Sequence, residues 1–293
     1  MADGRKWVGT TYGNSWMHHW LIRLLRFLDI RIVYAFMAVC VIPICMVVNP
    51  GRKVIYRYFR EIWGLRPLGA ILKTYRNFYI FGQVVVDKFA MYAGKKFDIE
   101  TEGYVHFQEL ERQPEGFIQL SAHVGNYEIA GYTLKAENKR FNALVFSGEK
   151  ATVMENRIRM FEGANIRMIG IGSDMSHLFA INEALSNGEI VSMPADRMLG
   201  ATKQISHTFL GREASFPVGP FSVATSRSLD VLAVNVMKTS SSGYKIYVTP
   251  LPYDKAAPKC EQIRQLSSAY VRELERMVRL YPEQWYNYFD FWA

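Results

Sequence analysis

The stretch Ser121-Ala122-His123-Val124-Gly125-Asn126-Tyr127-Glu128 places a histidine, small residues and a carboxylate close together. A histidine whose Nδ1–H is held by a carboxylate keeps one tautomer and presents Nε2 as a general base. Four residues separate His123 from Glu128. On one continuous helix such a pair would point about 140° apart. The spacing therefore works only if His123 precedes a helix that carries Glu128 in its first turn. Gly125 and Asn126 are the supporting residues between them, and Asn126 is placed to cap that helix. A helix N-terminus also favours negative charge developing beside it. The same residues equally fit a histidine that merely ends a strand.

The surrounding elements decide whether the pair can form. Gly116–Ser121 is a short apolar run that reads as a buried strand, followed by a helical pattern from Asn126 to Glu137. Asn142–Phe146, Arg167–Ile171 and Glu189–Met193 read as further strands, with helices at Ala151–Phe161 and Met175–Ser186 between them. A helix at Pro220–Ser226 leads to strands at Asp230–Val236 and Tyr244–Thr249, joined through Ser240-Ser241-Ser242-Gly243 as a hairpin. Lys259–Leu280 is a long amphipathic helix. This alternation predicts an α/β fold with a mainly parallel central sheet flanked by helices. Open α/β sheets bind ligands at the carboxyl ends of their strands, where His123 falls. Asp196 and Arg197 follow the fourth strand and are expected at that same end.

The 293 residues carry a net charge of +8, distributed unevenly. Residues 1–98 hold 15 basic and 5 acidic residues; residues 99–293 hold 20 and 22. A uniformly basic nucleic-acid binder does not look like this, and the distribution suits a lipid surface better, so no nucleic-acid partner is expected. The first region, 1–98, reads as a basic, aromatic, helical membrane-associating region, and 99–293 as the α/β core of the same structural unit. Ile32–Val48 is uncharged and apolar, at the short edge of what spans a bilayer. Trp16, Trp20, Arg23 and Arg26 precede it, the pattern of a stretch lying in a membrane interface with anionic headgroups. The competing reading is a buried helical hairpin. Helices are expected at Val54–Leu65 and Leu68–Ala93, with breaks near Gly51 and Gly64. Cys40, Cys45 and Cys260 form no disulfide framework, and Cys40 and Cys45 are expected as buried thiols in a reducing compartment.

Other chemistries lack their residues. There is no G-x-S-x-G elbow and no P-loop, and Gly170-Ile171-Gly172 lacks the third glycine of a dinucleotide site. The remaining histidines have no metal-ligand spacing, so neither a metal nor a cofactor is expected.

Several motifs together resemble the lysophospholipid acyltransferase superfamily, whose signature is H-x4-D/E, and within it the lipid A biosynthesis acyltransferase-like branch. They are the apolar anchor behind Trp and Arg, His123 to Glu128 around Gly125, and Pro194-Ala195-Asp196-Arg197. Phe209-Leu210-Gly211-Arg212 leading to Phe216-Pro217-Val218-Gly219-Pro220 and the terminal Pro282-Glu283-Gln284-Trp285 complete the order. The aromatic ending Tyr286–Trp292 resembles predicted acyltransferases of aryl polyene and flexirubin-type clusters. Phe216–Pro220 lacks the Glu and Arg of the glycerol-phosphate F-P-E-G-T-R motif. The resemblance implies an acyltransferase that moves an acyl chain from an acyl carrier protein or acyl-CoA thioester to a hydroxyl or amine of a lipid-type acceptor. It implies His123 as base, Glu128 as its orienting carboxylate, and Asp196, Arg197, Arg212, Phe216, Pro217 and Gly219 near substrate. It also implies a place on the cytoplasmic face of the bacterial inner membrane. A non-catalytic lipid-binding member of the fold and a lipid or thioester hydrolase are the alternatives.

Overall fold

All eight residues of Val231–Lys238 are buried. A strand of that kind has to be covered on both faces, as in the middle of an α/β sheet. The computed structural model describes residues 15–126, 129, 136–146, 165–171, 176–198 and 203–292, and it has that architecture. The sheet strands are β1 (Asp98–Glu102), β2 (Phe117–Ser121), β3 (Phe141–Phe146), β4 (Ile166–Ile171) and β5 (Ile190–Pro194), then β8 (Val231–Lys238) and β9 (Gly243–Pro250). They form a seven-stranded sheet in the order β1-β9-β8-β2-β5-β3-β4. Every neighbouring pair is parallel except β8 and β9, which the Ser240–Gly243 turn makes antiparallel.

Side chains along β8 alternate between two hydrophobic clusters. Val231, Ala233 and Met237 join a large cluster with the helices of the N-terminal third and the C-terminus. Leu232, Val234 and Val236 join a smaller one with Phe107 and Phe117. The first face is covered by α5 (Pro67–Tyr92), α8 (Gly219–Ser226) and α9 (Lys259–Leu280), the second by α6 (Tyr104–Arg112). The helix α7 (Ser176–Ser186) packs on β4 and β5.

The N-terminal helices are α1 (Ser15–Phe27), α2 (Ile30–Phe36), α3 (Ile42–Val48) and α4 (Gly51–Glu61). Asp29 starts α2 by accepting a hydrogen bond from the Arg31 amide at 2.8 Å. A π-helical turn, Met37–Val41, joins α2 to α3 just before Pro43. Proline has no amide hydrogen to continue the α-helical ladder, and a π turn absorbs that gap. Ile30–Val48 is thus one apolar helix of 19 residues, long enough to cross a membrane, and 17% of it is buried. That exposure is not that of a core hairpin. It also corrects the expected burial of the thiols: Cys40 is exposed and Cys45 half-buried, because only the face of the run that carries Tyr34, Met37 and Ile42 packs into the core.

Most expected strands and helices appear within a residue or two. The breaks fall near both glycines as expected: one at Asn49-Pro50, just before Gly51 opens α4, and one around Gly64 (φ +62°) in the gap before α5. The expected helices at 126–137 and 151–161 lie largely or wholly outside the described residues. Three elements are additions, the helix α6 being one. The acidic edge strand β1 pairs with β9, and β6 (Gln204–Phe209) with β7 (Arg212–Pro217) forms a separate antiparallel hairpin closed at Leu210-Gly211.

Candidate active site

Strands β2 and β5 are adjacent and parallel, with Ser121 opposite Pro194. Two residues beyond that register pair lie His123 on one strand and Asp196 on the other. The Ala195 amide donates to Ser121 O at 3.0 Å, holding the two strand ends side by side. From below, the buried Tyr270 of α9 donates its hydroxyl to the same carbonyl at 2.9 Å.

Asp196 grips His123 twice. Its Oδ2 accepts the His123 backbone N–H at 2.8 Å, and its Oδ1 lies 2.8 Å from Nδ1. The Asp196 side chain is 2% exposed and that of His123 17%. Burial alone would raise the Asp196 carboxyl. The charge of His123, its two hydrogen bonds and the charge of Arg197 together outweigh burial and hold the carboxyl below the ordinary carboxylate value. An ionised carboxylate on Nδ1 fixes the proton there and makes Nε2 the basic nitrogen.

The loop that carries His123 is fastened on two sides. Gly125 adopts φ +60°, and a Cβ there would stand 1.9 Å from Val236 O of β8. Only glycine permits both that dihedral and that approach. The Asn126 amide donates to the same carbonyl at 2.7 Å. On the other side runs the C-terminal segment: the Gly125 amide donates to Gln284 O at 2.9 Å and the Tyr286 amide to His123 O at 3.1 Å. Gln284 in turn brackets Lys238, accepting its amide at 2.9 Å and donating to its carbonyl at 2.7 Å. Trp285, 2% exposed, anchors this segment among Tyr58, Phe209 and Phe291.

Beneath the loop lies a buried polar cluster. Asn126 Nδ2 donates to Tyr244 Oη at 3.3 Å, and Tyr244 and Tyr34 both donate to Asp87. Lys238 Nζ donates to Asp87 Oδ2 at 2.5 Å. Burial pushes the Asp87 carboxyl above its ordinary value, against the pull of Lys238 and the two tyrosine hydroxyls. This cluster joins the apolar helix, through Tyr34, to the loop of His123.

Of the expected site residues, the structure brings together His123, Gly125, Asn126, Asp196 and Arg197. Arg197 donates to Tyr286 O at 2.9 Å and stands over the Phe289 ring, within the same cluster of loops. Glu128 lies outside the described residues. Arg212 is held elsewhere, by Glu61 at 2.9 Å and over the Trp292 ring. Phe216 is a core residue between Tyr270, Phe209 and Phe291, Pro217 ends β7 opposite Gln204, and Gly219 opens α8. Sequence reasoning missed Gln284, Tyr244, Asp87 and Lys238 as parts of the site's framework. Pro282-Glu283-Gln284-Trp285 was visible as a motif, but nothing in it indicated a clamp on His123.

A family model described as bacterial lipid A biosynthesis acyltransferase matches residues 73–290. Among solved structures, the 1-acyl-sn-glycerophosphate acyltransferase of Thermotoga maritima is similar over 92% of this chain and 100% of its own, at 16% identity and a TM-score of 0.38. None of the curated proteins matches.

Proposed function

Because the chain belongs to the bacterial lipid A biosynthesis acyltransferase family, and is therefore an acyltransferase of lipid biosynthesis acting on a lipid-type acceptor, we propose that His123 is its general base. The donor is a thioester, of an acyl carrier protein or of coenzyme A, and the nucleophile is a hydroxyl or amine of the acceptor. His123 Nε2 takes the nucleophile's proton as oxygen or nitrogen attacks the thioester carbonyl. The C–S bond then breaks, and the departing sulfur takes the proton back from the imidazolium. No covalent enzyme intermediate is needed.

The observation that carries this reading is the contact of His123 Nδ1 with the buried Asp196 carboxylate at 2.8 Å, at the carboxyl ends of β2 and β5. Asp196 takes the orienting place on Nδ1 that the sequence assigned to Glu128. Glu128, at the fixed H-x4-E spacing, is assigned to stabilising the imidazolium charge. Arg197 is placed for an anionic group of donor or acceptor. Arg212, Phe216, Pro217 and Gly219 act at a distance, by supporting the β6–β7 hairpin and the start of α8.

The enzyme works docked on the cytoplasmic face of the inner membrane. Supporting this, Ile30–Val48 is apolar and little buried, and Trp16, Trp20 and Phe27 of α1 are exposed beside Arg23, which stands over the Trp20 ring. Basic charge in the first third also suits an acidic carrier protein, since charge complementarity chiefly speeds encounter.

The test is acyl transfer by purified variants over a panel of thioester donors. His123→Ala should abolish transfer while the protein remains folded; full activity in that variant would sink the proposal. Free acid released equally with and without acceptor would favour the hydrolase instead.

A further inference from the structure

Between α3, α4 and the first turns of α5 lies a cavity of about 600 Å³. Met46 of α3 and Ile71 of α5 give it an apolar lining, and Arg52, Lys53, Tyr56 and Arg57 of α4 a basic and hydroxylic one. The positive charge there is poorly compensated. Arg52 donates to Val47 O at the end of α3, a neutral acceptor. Arg57 meets Asp290 at 3.5 Å, with both side chains half exposed, and such a pair contributes little. Lys53 and the Tyr56 hydroxyl have no partner among the described residues.

The surroundings identify the ligand. The cavity sits where the 19-residue apolar helix ends. Val47 and Val48 (each 71% exposed), Leu68 (69%) and Leu72 (61%) flank it without cover from the protein. A soluble anion would have no use for that apolar rim, and a plain acyl chain none for the cations. A ligand with both needs carries a phosphate next to hydrocarbon. The boundary between apolar and basic surface is also where a bilayer presents its phosphates.

We propose that this cavity is a binding site, separate from the His123 site, for the headgroup of one anionic glycerophospholipid of the bilayer. The phosphate lies among Arg52, Lys53 and Arg57, where guanidinium groups can meet two phosphate oxygens at once. The Tyr56 hydroxyl faces the glycerol, and the first methylenes run over Met46 and Ile71 toward the exposed valines and leucines. The lipid thereby joins α3, α4 and α5 at the membrane surface. The proposal rests on the membrane-docked reading given above.

The full chain in dodecyl maltoside micelles is offered phosphatidylglycerol or phosphatidylcholine, and native mass spectrometry counts the lipids retained. One phosphatidylglycerol should be held in preference to phosphatidylcholine. Lys53→Ala with Arg57→Ala, both at exposed side chains, should weaken its retention at least tenfold. Ile71→Trp, which fills the cavity and leaves the charge unchanged, should do the same. Circular dichroism checks that each variant is folded. Equal retention of the two lipids, unchanged retention in both variants, or displacement of the lipid by coenzyme A would overturn the site. Flotation of the wild-type chain with liposomes tests membrane docking separately. A chain that keeps its single lipid in micelles but fails to float removes the docking reading and leaves the site standing.

Discussion

Replacing Asp196 by Asn keeps the shape of the side chain and removes one of its two acceptors. The carboxylate now accepts from an amide, the His123 backbone N–H, and faces Nδ1, each at 2.8 Å. Asn offers one oxygen and one NH2. If the oxygen stays on the backbone amide, the NH2 faces Nδ1, the ring proton moves to Nε2, and the base is lost. If the amide is turned round, two N–H donors oppose each other in a site where the side chain is 2% exposed, at a cost of about 1–3 kcal/mol. The charge is lost either way. At an effective dielectric of about 20, a carboxylate about 3 Å from an imidazolium is worth at most about 6 kcal/mol. The same tautomer error in a Ser-His-Asp triad lowers kcat about 10⁴-fold. The expected loss for Asp196→Asn is therefore two to four decades in kcat, about 3–5 kcal/mol, with KM little changed. Thiol release from the donor and mass spectrometry of the acylated acceptor measure it. Asp196 acts through His123, so adding Asp196→Asn to His123→Ala should cost nothing further. A folded Asp196→Asn enzyme with more than about a tenth of wild-type kcat, or additive losses in the double variant, would refute the reasoning.

Gly125→Ala puts a methyl 1.9 Å from Val236 O at φ +60°; the left-handed conformation alone costs about 1–2 kcal/mol. The loop must shift, so kcat should fall at least tenfold and the melting temperature drop; an unchanged enzyme would mean that the loop adapts freely. Lys238→Met leaves Asp87 (0% exposed) without a cation and should cost about 3–5 kcal/mol in urea denaturation. Adding Asp87→Asn should restore a large part of that loss. The depressed Asp196 carboxyl means that the unfolded chain binds more protons in the window below about pH 4. Its contribution to stability is present above that window and disappears as pH falls through the lower folded value. Acid titration of stability should thus be shallower in Asp196→Asn than in the wild type.

Local patterns were legible in the sequence and long-range pairings were not. His123 could be placed at a strand end because Phe117–Ser121 is apolar and then turns small, and α9 because its apolar residues recur at helical spacing. Asp196 is 73 residues from His123, and only the adjacency of β2 and β5 brings the two together. Strand order carries no signal in a single sequence. Strand β1 (Asp-Ile-Glu-Thr-Glu) was missed because an exposed edge strand has no apolar run to show. The β6–β7 hairpin was missed although Leu210-Gly211 takes positive φ at both positions, as a tight hairpin turn requires. Its alternation is diluted by Ser206, His207 and Thr208. Asp87 was hidden in a helix that reads as basic and aromatic, since its partners come from β8, β9 and α2.

Hydrogen bonds and ion pairs also join the basic N-terminal third to the sheet and the C-terminal segment. Glu283 is met by Lys73 and Arg76 of α5, and Asn77 of α5 donates to Glu283 O at 2.9 Å and Trp285 O at 3.0 Å. The segment so held by α5 is the one that fastens the His123 loop. From the other side, Tyr34 of the apolar helix reaches Asp87, whose partner Tyr244 meets Asn126. The N-terminal helices therefore touch the His123 loop through two hydrogen-bonded routes, one through the C-terminal segment and one through the buried charge. Detaching the first third would leave Lys238 without Asp87 and Trp285 without Tyr58. The sheet's own strands lead into His123 and Asp196, but the sheet lacks the groups of α5 and α2 that fasten the loop of His123.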